Sequence, residues 1–291
     1  MASLKEVKSR ILSVSSTQQI TKAMKMVAAA KLRRAQDRVI QLRPYYDKLR
    51  NILNNLSSNS GSNSKLLVER KVNKVLLILV GSDKGLCGSF NSSVIKFTNQ
   101  LIENNYKKLY ENKQLTILPI GKKMFDHYKK RNFIILDKFW SILKKSNYDD
   151  VADISKFLMN EFILKNYDKI DIIFNEFKNV AVQNTMLSTF LPVKKENEEE
   201  VKSDVNYIFE PNQKDLLNKL IPKALNANLF KTILESNASE QGSRMTAMSQ
   251  ATDNATELLK ELKLSYNRSR QAAITKEILE IVGGAEALNS N

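Results

Sequence analysis

The chain of 291 residues is 42% hydrophobic and carries a formal net charge of +15, with only eight glycines and five prolines. This composition supports a sizeable folded core, excludes an intrinsically disordered protein and disfavours a turn-rich all-β fold. The single cysteine excludes an intramolecular disulfide and a multi-cysteine metal cluster, and the single histidine excludes a histidine-rich metal site. We therefore expect no metal and no cofactor.

The first predicted element is a long helix over residues 1–57. A 4-3 apolar repeat begins at Leu4 and continues for about fifty residues, which is the pattern of a helix that pairs with another helix. The repeat is interrupted by three consecutive polar positions, Gln18, Thr21 and Lys25. Pro44 lies inside the pattern and predicts a kink or a local break. A serine-rich stretch follows, so we expect a linker over residues 58–72.

Positive charge is concentrated in this first helix. Residues 1–57 hold twelve Lys and Arg against three Asp and Glu, whereas residues 215–291 hold nine of each. Such a basic segment suits nucleic acid, an anionic membrane or an acidic protein partner, and a solvated helix face is the simpler alternative. The basic run comprises Lys22, Lys25, Lys31, Arg33, Arg34 and Arg38.

The middle of the chain, residues 73–212, predicts a Rossmann-like α/β domain with a largely parallel sheet. Short apolar runs indicate strands at residues 74–80, 115–120, 133–136 and 170–174, with helices near 92–110, 122–130 and 151–165. Residues 179–191 are expected to add an antiparallel edge strand, and residues 194–203 a solvated loop.

A glycine-containing loop, residues 81–91 (GSDKGLCGSFN), follows the first of these strands and precedes a helix. Its glycines permit tight turns that expose amides to a phosphate, but the loop matches neither GxGxxG nor GxxxxGK[ST]. A structural turn is therefore the favoured interpretation over a nucleotide site. Cys87 has no neighbouring histidine or CxxC partner, so we expect a buried or half-buried free thiol and no catalytic residue.

The last predicted element is a second long helix over residues 213–291. Its apolar seam extends from Leu234 to Tyr266, and Gly242 is a weak point costing about 1 kcal/mol relative to alanine. The two terminal helices are expected to pair as an antiparallel coiled coil, placing Leu4 opposite roughly residue 268. The remaining single-helix tip is apolar on more than one face, so it requires an enclosing partner.

Two segments resemble the ATP synthase gamma subunit family. They are ITKAMKMVAAAKLRRAQDR at residues 20–38 and SRMTAMSQATDNATELLKELKLSYNRSRQAAITKEILEIVGGAEAL at residues 243–288, with the loop SDKGLCGSFN between them in the expected order. Lys84 and Ser89 depart from the Arg and Gly that are frequent in that family. The resemblance spans nearly the whole chain.

This resemblance implies a non-catalytic shaft of a proton-translocating rotary ATP synthase, which couples ring rotation to ATP synthesis and regulates ATPase activity and proton flow. It implies an antiparallel coiled coil inside a hexamer of alpha and beta subunits, with the α/β domain beside epsilon and the membrane ring of c subunits. The residues expected to meet the alpha and beta head are Lys22, Met24, Lys25, Arg33, Arg34, Arg244, Arg270, Gln271, Thr275, Ile278 and Ile281.

The residues themselves leave two other functions to consider. A nucleic-acid-binding coiled coil agrees with the basic charge, but interleaved aromatics and a recognition motif are missing. A nucleotide-binding enzyme built on the α/β domain lacks a phosphate motif. We therefore expect neither nucleic acid nor direct nucleotide binding. The start of the chain lacks the apolar stretch of a signal peptide, so we expect any membrane association to be peripheral. Together with the resemblance, this implies a position on the cytoplasmic face of a bacterial inner membrane, with a mature organellar form as the alternative.

Overall fold

The computed structural model describes residues 4–58, 65–144, 147–180, 182–193 and 213–289. The predicted loop at residues 194–203 lies outside these ranges. The chain divides into two compact units. The helical unit comprises Met1–Val27 and Met245–Asn291, and the central unit comprises Ala28–Arg244. The four domain ranges expected from the sequence remain a prediction.

The central unit contains a five-stranded mixed sheet. Its strands are β1 (Val75–Val80), β2 (Leu115–Ile120), β3 (Ile134–Ile135), β4 (Lys169–Phe177) and β5 (Gln183–Leu191), in the spatial order β3-β2-β1-β4-β5. β1 pairs in parallel with both β2 and β4, β2 pairs in parallel with β3, and β5 pairs antiparallel with β4. The strand order therefore reverses direction between β1 and β4, as in doubly wound folds.

Helices cover both faces of this sheet, which explains why β1 and β2 are buried along their whole length. On one face lie α2 (Phe90–Leu101), a π-helical turn (Ile102–Tyr106), α3 (Lys107–Glu111) and α4 (Lys122–Lys129). On the other face lie a 3₁₀ turn (Ile142–Lys144), α5 (Tyr148–Ile163) and part of the last helix. The predicted α/β class and the antiparallel edge strand are confirmed.

The two long terminal helices are α1 (Leu4–Ser58) and α6 (Gln213–Asn289). Of the kink or local break expected at Pro44, the break is wrong, because α1 continues as helix on both sides of this residue, and the kink stays a prediction. Pro44 is exposed. Nearby in the central unit, Tyr46 is half-buried and Leu49 is buried. Packing of these residues offsets the roughly 3 kcal/mol that proline costs inside a helix.

In the helical unit, α1 and α6 run antiparallel with a polar layer in their seam. Gln18 donates to Thr256 Oγ1 at 2.7 Å, Thr252 donates to Thr21 Oγ1 at 2.9 Å, and the Lys25 ammonium donates to Ser249 Oγ at 2.9 Å. The three interruptions of the apolar repeat are thus matched by polar residues on α6, which favours one register over its neighbours. Continued toward the N-terminus, this register places Leu4 opposite residues 269 and 270.

Candidate functional site

The glycine-containing loop lies at the carboxyl end of β1, beside the point where the strand order reverses. In open α/β sheets this crevice is the usual ligand position. Here the polar groups of the loop are hydrogen-bonded to one another. The Asn91 side chain accepts a hydrogen bond from the Ser82 amide at 3.1 Å and donates one to the Ser82 hydroxyl at 2.8 Å. The Ser82 hydroxyl donates in turn to the Lys84 carbonyl at 2.8 Å.

Two consecutive residues of α6 bind the outer part of this loop through its carbonyl oxygens. The Ser243 hydroxyl donates to the Cys87 carbonyl at 2.7 Å, and the Arg244 guanidinium donates to the carbonyls of Gly85 and Lys84. A phosphate would need the loop's amides, whereas these carbonyls receive a cation from the same chain. The arrangement supports a structural role for the loop, with α6 as its fixed partner.

The preceding turn of α6 fits closely against the β4–β5 connection. A Cβ placed on Gly242 would lie 3.3 Å from the Phe177 ring, which is tighter than an ordinary van der Waals contact. The glycine that weakens the helix in the sequence therefore allows α6 to approach the sheet. The Asn175 side chain of β4 donates a hydrogen bond to the carbonyl of Phe90, the first residue of α2, at 2.9 Å.

Arg244 also forms an ion pair within its own helix. Its guanidinium lies 2.5 Å from Glu240 Oε1, and the two side chains are 11% and 12% exposed. Burial raises the pKa of the Glu240 carboxyl above its ordinary value, while the hydrogen bond and the charge of Arg244 lower it. We call the set Glu240, Ser243, Arg244 and the loop carbonyls the loop clamp. No sequence pattern indicates the loop clamp, because the hydrogen-bonding partners on α6 and the loop are about 160 residues apart.

Cys87 is buried and free, as predicted. Its sulfur lies 3.2 Å from Asn91 Nδ2 and 3.7 Å from Ser82 Oγ, both of which belong to the loop network. These neutral neighbours supply no base to activate the thiol. The contacts are those of a packed side chain.

The residues expected to meet a partner fall into four groups. In the helical unit, Lys22 and Lys25 are exposed and Met24 is half-buried, with the Lys25 ammonium on Ser249. In the central unit, Arg33 and Arg34 are exposed. Arg244 differs from the others because it is buried in the loop clamp.

The remaining expected contact residues lie on the last part of α6. Every side chain described from Arg270 to Ala285 is exposed. The exposed set includes large apolar side chains at 48% to 68% of their full area, namely Ile274, Ile278, Leu279, Ile281 and Val282. It also includes the expected contact residues Arg270, Gln271 and Thr275. We call residues 270–285 the exposed tip.

The described residues contain neither a membrane-spanning helix nor a cluster of metal ligands. None of the described helices is both long and apolar enough to cross a membrane. Across the same part of the chain, no group of three or more His, Cys, Asp and Glu side chains is arranged to hold a metal ion.

Known proteins of one family match this chain along its full length. A family model described as ATP synthase matches residues 3–288. The ATP synthase gamma chain of Cytophaga hutchinsonii is 50% identical over 295 residues, covering 100% of both chains. The ATP synthase gamma chain of Christiangramia forsetii is 49% identical over 298 residues, covering 99% of this chain and 100% of the relative.

Solved structures share the fold. The central stalk and c-ring structure of the Tetrahymena thermophila mitochondrial ATP synthase contains a chain that is 26% identical, with a TM-score of 0.57, covering 80% of this chain and 99% of that one. A chain of the Euglena gracilis mitochondrial ATP synthase has a TM-score of 0.68 at 20% identity, and the match covers 99% of this chain and 95% of that one. These structures show a shared fold, and the family model with the full-length relatives establishes that the chain belongs to the ATP synthase gamma chain family.

Proposed function

We propose that this chain is the central rotor shaft of a proton-translocating ATP synthase. In this role it couples rotation of a membrane ring to ATP synthesis on beta subunits and is itself non-catalytic. Family membership supports the subunit assignment. The observation that carries the shaft role is the exposed tip, an apolar helical end without cover from the described part of its own unit.

The exposed tip needs an enclosing partner for energetic reasons. At 1.5 Å per residue, residues 270–285 extend for about 24 Å. Each large apolar side chain transferred from water into a protein sleeve contributes about 1.5 to 3 kcal/mol when fully buried, so the five half-exposed ones favour enclosure strongly. A ring of alpha and beta subunits would supply such a sleeve around the helix.

The basic residues of α1 are proposed to contact the beta subunits at particular rotor angles. Lys22, Lys25, Arg33 and Arg34 are exposed, and each exposed ion pair with an acidic surface is worth about 0.2 to 1 kcal/mol. Contacts of this size can shift a beta subunit between conformations without holding the rotor in place. By reciprocity, nucleotide hydrolysis on beta would drive the shaft backwards.

The other end of the assembly involves the α/β domain. We propose that it lies beside epsilon and the c-subunit ring, on the cytoplasmic face of the membrane. The chain would then be a peripheral member of a membrane complex, and would bind neither nucleic acid nor nucleotide as part of the shaft role. The buried thiol and the self-closed glycine loop support the absence of catalytic groups on this chain.

The proposal is tested by neutralising the basic residues in the assembled complex. The variant replaces Lys22, Lys25, Arg33 and Arg34 with Gln, and is reconstituted with alpha, beta, epsilon and the membrane sector in vesicles. We expect assembly to survive and protons pumped per ATP to fall, with the difference from wild type shrinking as salt screens the contacts.

A matched control removes the same number of charges from the central unit by replacing the exposed Lys71, Lys108, Lys122 and Lys130 with Gln. The control variant should pump as many protons per ATP hydrolysed on beta as the wild type does. Unchanged coupling in the α1 variant over a range of salt would refute the electrostatic role. Loss of DNA affinity with no effect on any ATPase complex would instead favour a nucleic-acid binder.

A further inference from the structure

A cleft of about 520 Å³ opens in the central unit between α1, the glycine-containing loop and α6. We propose that it is a binding site for a small, multiply charged anion of the oligophosphate class. This inference goes beyond the shaft role and does not depend on it. It rests on the charges that line the cleft and on its size.

Four cationic side chains converge on the cleft. Lys31, Arg34 and Arg38 are spaced three and four residues apart, so they share one face of α1, and Lys84 faces them from the loop. All four are exposed. Within the described ranges, none of them forms an ion pair with a carboxylate. Their charges are therefore available to a ligand.

Two carboxylates also line the cleft, and neither cancels this field. Glu240 is already paired with Arg244 at 2.5 Å, so its charge is compensated inside the loop clamp. Asp83 accepts a hydrogen bond from the Lys122 amide at 3.1 Å. Four cations against one unpaired carboxylate leave an excess of positive charge, which an anion with two or more charges would balance.

The shape of the cleft favours a small anion over an acidic helix. A volume of about 520 Å³ lies within the range of about 300 to 1,000 Å³ that is typical of small-molecule sites. Arg34 and Arg38 supply planar forks suited to bidentate phosphate contacts, and Lys31 and Lys84 supply point charges. The amides of Asn237 and Gln241 line the α6 side and add neutral hydrogen-bonding groups.

The test is a calorimetric titration of the full-length chain with pyrophosphate, with orthophosphate as a second ligand. We expect saturable binding at one site, tighter for pyrophosphate because it carries more charge. Replacing Arg34 and Arg38 together with Gln should weaken pyrophosphate binding by about tenfold or more, since charge-assisted hydrogen bonds are lost.

The matched control replaces Arg33 and Lys48 with Gln. Both are exposed on α1 in the central unit and outside the cleft, so the net charge changes equally. The control should bind pyrophosphate within about twofold of wild type, and circular dichroism should show unchanged helix content in both variants. Absence of saturable binding to the wild-type chain would overturn the proposal. An equal loss in the control would also overturn it, because the binding would then reflect net charge alone.

Discussion

Replacing Arg244 with Met removes the guanidinium of the loop clamp while keeping a long side chain in its place. The change deletes the hydrogen bonds to the Gly85 and Lys84 carbonyls and the ion pair with Glu240. Removing one partner of a buried ion pair costs about 3 to 5 kcal/mol, because the other charge remains buried alone. The two side chains are slightly exposed, at 11% and 12%, which favours the lower end of that range. We therefore expect the free energy of unfolding to fall by about 3 kcal/mol at pH 7.

The pH dependence of this loss follows from the carboxyl that remains. Burial already raises the pKa of Glu240 in the folded chain above 4.5, while Arg244 lowers it. A group with a raised pKa stabilises the fold most when protonated, and this contribution is lost as pH rises through the folded pKa. Without Arg244 the pKa rises further, so the stability difference from wild type should shrink as pH falls from 7 towards 5.

Urea unfolding followed by circular dichroism measures both effects, and hydrogen exchange should report faster opening of the glycine-containing loop. A second variant that combines Arg244→Met with Glu240→Leu removes the stranded carboxylate, and it should recover part of the lost stability. Arg33→Met is the control, because Arg33 is exposed on α1. A loss below about 0.5 kcal/mol for Arg244→Met at pH 7 would refute the reasoning, since that is the size of an ordinary surface substitution.

Two further predictions concern the exposed tip and the thiol. Truncation after Ser269 should make the isolated chain less prone to self-association in analytical ultracentrifugation and weaken its attachment to the alpha and beta head, because the exposed apolar helix is removed; a wild-type chain that is already monodisperse would contradict this. Cys87→Ser should leave ATP hydrolysis and synthesis by the assembled complex within a few-fold of wild type, because the sulfur contacts only neutral groups of the loop. A thousandfold loss with intact assembly would show that the thiol has a chemical role.

Much of the fold was predictable because periodicity reports burial directly. The apolar runs predicted β1 and β2 to within one residue, since both strands are buried on both faces. The heptad pattern likewise located α1 and α6. The break expected at Pro44 is absent, because the tertiary packing of Tyr46 and Leu49 outweighs the local propensity of proline.

The site was less predictable, because its contacts join distant parts of the chain. Arg244 was expected at a partner surface through family resemblance, and the structure instead shows a guanidinium buried against loop carbonyls. Whether it also meets a partner remains a prediction. The basic run on α1 was visible in the sequence, but the cleft depends on Lys84 approaching Arg34 and Arg38 from another segment. Spacing along one helix carries no information about such an approach.

Affinity purification of the full-length tagged chain tests most directly whether this chain is the enclosed shaft of a catalytic head. Native mass spectrometry of the purified material gives the composition. We expect alpha, beta and epsilon chains at fixed stoichiometry, with one tagged chain in each alpha and beta hexamer. A tagged chain recovered as a free monomer, or with nucleic acid and no alpha or beta subunits, would contradict it.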